Sequence, residues 1–161
     1  FGKIYKIIDF GRSIYKFNGK TLCSDSFDKN GDAATQYNCE PFMNINKPRI
    51  DPNYSFDLCR LGCSMYDFLI DMDDETTPFN NIQQLVNDWC LDDNGRNVLY
   101  KKNGDERYPN FRLYKMIART VHNHTPEQQF ELPVFQKFII LDNITTIKSN
   151  IIDLDSVVCY A

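Results

Sequence analysis

Apolar residues change texture several times along the chain, and each texture predicts an element. Between Lys3 and Ile8 they are β-branched, with Ile4, Ile7 and Ile8 suited to a pleated, half-buried surface, so a strand ending at Asp9 is expected. Gly11 frees the backbone to turn. Two β-prone arms then flank Asn18 and Gly19, a dipeptide that tolerates positive φ at both central positions of a hairpin turn. From Ser24 to Asn53 the chain is polar, holds Gly31 and prolines at 41, 48 and 52, and shows no sustained period. It reads as a long ordered loop, and loops of that length are uncommon unless functional.

Helical textures follow. The stretch "YSFDLCRLGCSMYDFLI", from Tyr54 to Ile70, is apolar or small on nearly every side, which predicts a helix buried all round, with Ser55 as its N-cap. Asp57 in the first turn suits the helix dipole, and an ion pair with Arg60 is the plainest use of both charges. "DMDDE" at 71 to 75 reads as a solvated loop of like charges. A second helix carries Ile82, Leu85, Val86 and Trp89 on one stripe and ends at "DDNG". After a polar turn region from Lys101 to Pro109, Asn110 is placed to cap a third helix, with Phe111, Tyr114, Ile117, Ala118 and Val121 at helical spacing. "TPEQ" from Thr125 spells a capping box with Pro126 at the first helical position, and Pro133 limits that helix or starts the next. Val134 to Leu141 supplies further packing surface. No internal repeat or low-complexity segment is evident.

The expected fold class is therefore α+β and mainly helical. A strand and hairpin occupy 3–23, a long loop 24–53, a helical core 54–141, and a C-terminal tail 142–161 reads equally well as helix or strand. At 161 residues with 42% hydrophobic content, the chain is long enough for one cored domain. Its net charge of -4, with dispersed lysines and arginines, argues against nucleic acid as a partner. No apolar run approaches the roughly 20 residues of a membrane helix, and the start lacks the layout of a signal peptide, so a membrane partner is not expected and a cytoplasmic location is. The chain starts at Phe1, almost directly on a strand, as a piece cut from a longer protein would.

Candidate chemistry changes the picture in only a few places. The six cysteines read as thiols, because a chain this large and apolar needs no disulfide framework and no CxxC pair completes a zinc site. Cys59 and Cys63 lie one helical turn apart. The Asn-x-Ser/Thr matches at Asn53, Asn123 and Asn143 carry little weight without a secretory signal. "SFDKNGDAATQY" fails as a calcium loop, since Tyr37 stands where the bidentate Glu is needed. His122 and His124 flank a helix end without a matched nucleophile, which suggests capping or surface roles.

Asp9, Phe10 and Gly11 spell the magnesium-binding triplet of protein kinases, placed as in that family after an apolar strand and at the head of the activation segment. "DLCRLG", Asp57 to Gly62, resembles the family's D-x-W-S-x-G motif, with Cys59 and Arg60 replacing Trp and Ser. Between them Tyr37, Cys39, Glu40 and Pro41 resemble the Y-x-A-P-E signature with Pro and Glu exchanged. The order of elements agrees from about Lys3 to Leu141 with the back part of a eukaryotic-type protein kinase C-terminal lobe. The wording of "DAATQYN", "PNYSFDLCRLG" and "KMIARTVHNHTPE" looks most like the kinase-like proteins of large nucleocytoplasmic DNA viruses, and for a viral protein the location would be host cytoplasm or virion.

The resemblance implies a C-lobe of an ATP- and Mg2+-dependent Ser/Thr-type kinase, acting on protein hydroxyls. It assigns Asp9 to the metal, Phe10 to a core-packed position that helps set whether Asp9 points at the metal, Gly11 to a swing point of the activation segment, Glu40 to an arginine pairing at its end, with Arg119 as candidate, and Asp57 to a structural anchor for the catalytic loop. Ser24, Ser26, Thr35 and Tyr37 become candidate phosphosites. The catalytic Asp and the N-terminal lobe belong upstream of Phe1, so the resemblance assigns no catalytic residue to this stretch and implies no activity for it alone. Two further readings stand beside this one: a pseudokinase scaffold, favoured by the motif departures, and an unrelated helical interaction domain, favoured if Asp9 proves buried far from any cleft or Asp57 fully exposed.

Overall fold

A computed structural model of the chain describes residues 10–70 and 78–138. The expected strand before Asp9, Asp9 itself, the acidic run at 71 to 75 and the tail 142–161 lie outside the described residues. Within them the architecture is α+β, with one antiparallel hairpin and five helices.

The hairpin pairs β1, Ile14–Phe17, with β2, Lys20–Cys23, in the register Ile14 to Cys23 and Phe17 to Lys20. Asn18 at φ 48 and Gly19 at φ 74 supply the two positive torsions that the Asn-Gly signal predicts. The loop from Ser24 to Asn53 holds a short 3-10 turn, Asp25–Phe27, and one bridge between Asn38 and Ile50. It is organised by a side chain that no periodicity reveals. Asn38 is buried, and its amide nitrogen donates to the carbonyls of Asn44 (3.1 Å), Lys47 (3.1 Å) and Pro48 (2.7 Å), while its oxygen accepts from Asn44 N–H (2.7 Å). Gly31 permits the other tight place in the loop, where a Cβ would lie 2.2 Å from the Ser26 carbonyl oxygen.

Helix α1, Ser55–Leu69, packs along α2, Asn81–Trp89, and touches α3, Arg112–Thr120. Gly62 lets α1 and α2 approach: a Cβ there would meet Trp89 Cβ at 3.0 Å, Cys90 Sγ at 3.2 Å and Val86 O at 3.3 Å. Two apolar clusters result. Cys59, Val98, Ile117 and Val121 form one, with Tyr66, Ile70, Val86 and Cys90 forming the other, and Cys63 is packed against both. The α2 stripe faces inward as predicted at Leu85, Val86 and Trp89, while Ile82 stays exposed.

Three local expectations need correction. α1 is not buried all round, because Asp57, Leu61, Ser64 and Phe68 form an exposed stripe, with Phe68 88% and Leu61 48% accessible. Ser55 does not cap α1; Tyr54 occupies the N-cap position without a side-chain bond, and Asn53 before it accepts the Phe56 N–H at 3.1 Å through its side-chain oxygen. Ser55 is buried and joins α1 to a distant segment instead, donating to the His124 carbonyl and accepting from the His124 N–H at 3.1 Å. Asn110 does not cap α3 with its side chain; it turns the chain at φ 57, and Phe111 occupies the N-cap position.

The Thr125 capping box forms as the sequence predicts, with both reciprocal bonds, at the start of α4, Pro126–Gln129. Pro133 opens α5, Pro133–Gln136. α4 is fixed to α2 by a buried bond from Trp89 Nε1 to Gln129 Oε1, 2.8 Å long. Between α2 and α3 two successive Asn-Gly turns share one geometry, bridged Leu91 to Asn97 and Tyr100 to Glu106, with Gly95 at φ 71 and Gly104 at φ 82. Each carries an ion pair across four residues, Asp92 with Arg96 and Lys101 with Asp105, of reversed polarity. No helix among the described residues is long and apolar enough to cross a membrane.

Candidate functional site

Of the residues that the kinase resemblance singles out, those described lie just before the hairpin, in the loop, in the first turn of α1 and, for Arg119, on α3. Phe10 is 65% exposed, so it does not pack into the core as the resemblance implies, and Gly11 is exposed beside it. Beyond them Ser13 closes a turn, its N–H (3.0 Å) and hydroxyl (2.8 Å) both donating to the Phe10 carbonyl. Arg12 reaches across to Asp32 (3.3 Å) and lies over the Phe111 ring, which draws the start of the hairpin toward the loop and α3.

The loop returns over the start of α1 through aromatic contacts. Tyr37 packs against Phe27 at 5.5 Å between centroids and edge-on against Phe56 of α1 at 6.1 Å. Phe56 continues to Tyr114 of α3, which stacks on Phe111 at 5.0 Å. Burial in this row pushes the Tyr37 hydroxyl up to about 12. Of the candidate phosphosites, Thr35 is exposed and held at φ 68, whereas Tyr37 is half-buried. Ser24 is engaged as the cap of the 3-10 turn, and the buried Ser26 hydroxyl has no partner among the described residues.

Arg119 of α3 does reach the loop, donating to the Thr35 carbonyl and, at 2.6 Å, to the Lys115 carbonyl. Its contact is with Thr35; Glu40 stays exposed, and no ion pair joins the two. The expected Asp57–Arg60 pair also does not form. Arg60 turns away along α1 to lie 4.3 Å from the Tyr114 ring centroid and to bond its hydroxyl at 3.1 Å, because an aromatic face and a hydroxyl are both available there and the guanidinium sheds little water to use them.

Asp57 therefore stands alone on its side of α1. It is exposed, no donor among the described residues bonds its carboxylate, and the partial cover it has pushes its pKa up. It begins the stripe that continues through Leu61, Ser64 and Phe68. The stripe leaves two large apolar side chains, Leu61 and Phe68, open on the same side of the helix.

Among the described residues no three His, Cys, Asp or Glu side chains converge to hold a metal ion. Mg2+ and ATP thus rest on the sequence resemblance at Asp9. The histidines serve structure: His122 pairs with Asp93 through Nδ1 at 2.7 Å, and His124 Nε2 meets the Asp88 carbonyl at 3.1 Å. Sequence reasoning missed Asn38 and the Ser55 clamp, because their partners are backbone groups whose positions no pattern announces. No protein-family model, curated protein or solved structure matches the chain.

Proposed function

We propose that this chain is the C-lobe part of an ATP- and Mg2+-dependent protein kinase of Ser/Thr type, transferring phosphate to protein hydroxyls. The carrying observation is the α1 stripe, where Asp57, bonded by no donor among the described residues, heads an exposed row that includes Leu61 and Phe68 on a helix packed against α2 and α3. In a kinase lobe the catalytic loop would lie on that face, and its backbone N–H groups would satisfy Asp57. The exposure of Asp57 taken by itself favours a free-standing helical domain. The exposure of Leu61 and Phe68 beside it weighs the other way, since a self-contained fold gains stability by covering such residues. The return of the loop across α1 through Tyr37 and Phe56, and its hold by Arg119, support the reading of 24–53 as an activation segment.

On this reading Asp9 is the carboxylate for Mg2+, which when bound neutralises phosphate charge and orients the nucleotide. Gly11 lets the segment after Asp9 swing, and Asp57 holds the loop that carries the catalytic Asp. The test is Mg2+-dependent transfer from γ-labelled ATP to a generic protein acceptor by the full-length protein. Asp9→Asn should lower transfer by at least about a hundredfold. Equal transfer by wild type and Asp9→Asn would overturn the assignment. Absence of transfer in both, with partner binding retained, would establish the pseudokinase scaffold, which the replacements at Cys59 and Arg60 favour.

A further inference from the structure

The two residues that depart from the kinase motif, Cys59 and Arg60, sit within a cluster of thiols that the proposed phosphoryl transfer does not use. Cys59 and Cys63 face each other across one turn of α1, Sγ to Sγ 4.0 Å. Cys90, at the C-terminal cap of α2, belongs to the apolar cluster against which Cys63 packs. The close approach at Gly62 is what permits this, since even a Cβ there would be 3.2 Å from the Cys90 sulfur. Cys59 and Cys90 are fully buried, whereas Cys63 is only partly so and touches both apolar clusters. We propose that Cys63 is a peroxide-reactive cysteine that forms a disulfide with Cys90, locking α1 to α2.

The chemistry favours Cys63 as the attacking sulfur. Its Sγ lies 4.0 Å from that of Cys59, and hydrogen bonding with the neighbouring thiols, helped by the positive charge of Arg60, pulls its pKa below the ordinary thiol range. Its two neighbours move the other way, because donating to Cys63 and being buried both favour their protonated forms. A hydroperoxide reaching the partly open Cys63 would be attacked at its outer oxygen. The S–O bond forms, the O–O bond breaks, and the alkoxide leaves with the proton Cys63 gave up. The Cys90 thiol then attacks the sulfenic sulfur: the S–S bond forms, the S–O bond breaks, and hydroxide leaves as water with the Cys90 proton. In sum two thiols and one hydroperoxide give a disulfide, an alcohol and water, a two-electron oxidation of sulfur matched by reduction of the peroxide.

Cys90 is the better resolving thiol than Cys59. Side chains four apart on a helix keep their Cβ atoms about 5–6 Å apart, whereas a disulfide draws them to about 4 Å, so a Cys59–Cys63 bond would distort the helical turn. Cys90 stands on a separate element at a helix end, where a small shift costs less.

The experiment compares cysteines inside the native full-length protein. Cys23 is the internal reference, a partly covered thiol that burial pushes up. Under limiting iodoacetamide at pH 7, Cys63 should alkylate about tenfold faster than Cys23, and Arg60→Gln should narrow that gap. Peroxide followed by non-reducing peptide mapping should yield a Cys63–Cys90 linked pair. In Cys90→Ala the same treatment should leave a sulfenic acid on Cys63 that dimedone traps. Alkylation of native Cys63 no faster than Cys23 would overturn the proposal, as would a Cys63–Cys59 link in place of the Cys90 one.

Discussion

The helical half and the loop half of this molecule are held by different forces. Around α1, α2 and α3 the residues that matter are apolar and fully enclosed, with Ile117, Val98 and Val121 at 0% exposure. Burial of that kind contributes about 1.5–3 kcal/mol per large side chain and depends on many neighbours at once. Between Ser24 and Asn53 little is enclosed. There the fold rests on Asn38 and on the space left by Gly31, each tied to a few nearby backbone groups. The lesson is that the first half should fail globally and the second locally.

The strongest way to break this contrast is Ile117→Ala. Ile117 is among the largest fully buried side chains and packs against Cys59, Val98 and Val121, so the cavity should cost about 2–5 kcal/mol. Chemical denaturation should show one transition at lower midpoint, with loop and core lost together. Gly31→Ala comes next. Its Cβ would fall 2.2 Å from Ser26 O, and the backbone must shift, at a cost of about 2 kcal/mol. Because the Ala33 N–H donates to that same carbonyl at 2.8 Å, hydrogen exchange at Ala33 should accelerate while the Val98 amide, bonded to Cys90 O at 2.9 Å, keeps its protection. A core that loses protection in step with the loop would erase the distinction.

Asn38→Ala should have a smaller effect, about 1–2 kcal/mol, since the carbonyls of Asn44, Lys47 and Pro48 lie in an exposed stretch where water replaces the lost donor. Limited proteolysis within 42–50 should quicken. Asn38→Asp sharpens the test: it keeps the acceptor for Asn44 N–H but turns the other face of the group into an oxygen against three carbonyls. It should therefore open the loop at least as much as Asn38→Ala. An Asp variant as protected as wild type would mean that the nitrogen's bonds contribute nothing.

What could be read from the sequence follows this same division. Helical periods, the Asn-Gly hairpin and the Thr125 capping box depend on neighbours within a few positions, and each appears where its residues predict. The enclosure of α1 was misjudged because apolar residues all round a helix do not say which face the rest of the chain covers. Leu61 and Phe68 look the same in sequence as Leu58 or Tyr66. Asn38 finds partners 6 to 10 residues away in a loop without period, and Ser55 finds one 69 residues away. The convergence of Cys90 on Cys63 depends on how α1 crosses α2 at Gly62, which is a property of the packed pair and of neither helix alone.

Among the buried polar side chains of the core half, Asp92 is the ionisable one, and its acid titration gives the smallest and most discriminating prediction. Asp92 is 1% exposed at the side chain, and its oxygens accept from Asn94 N–H (2.9 Å), Arg96 N–H (3.0 Å) and the Arg96 guanidinium (2.7 Å to NH2). Burial alone would push its carboxyl up, but the Arg96 pair and these backbone bonds outweigh it and hold the carboxyl below the ordinary range. A depressed folded pKa means that the pair's contribution is complete above the unfolded carboxylate value near about 3.9 and is lost as pH falls through that value and the lower folded one. Arg96 is half exposed, so water screens the pair and limits the gain. Wild-type stability should therefore decline in this acid window more steeply than that of Asp92→Asn, which has no charge there to lose. The decline should appear in the global unfolding midpoint, because Asp92 closes the turn directly after α2 and its neighbour Asp93 donates its N–H to Thr120 of α3 at 2.7 Å. If acid instead loosened only the 92–96 turn, with Val98 protection intact, polar ties would be local wherever they occur, and the division between the two halves would reduce to apolar burial alone.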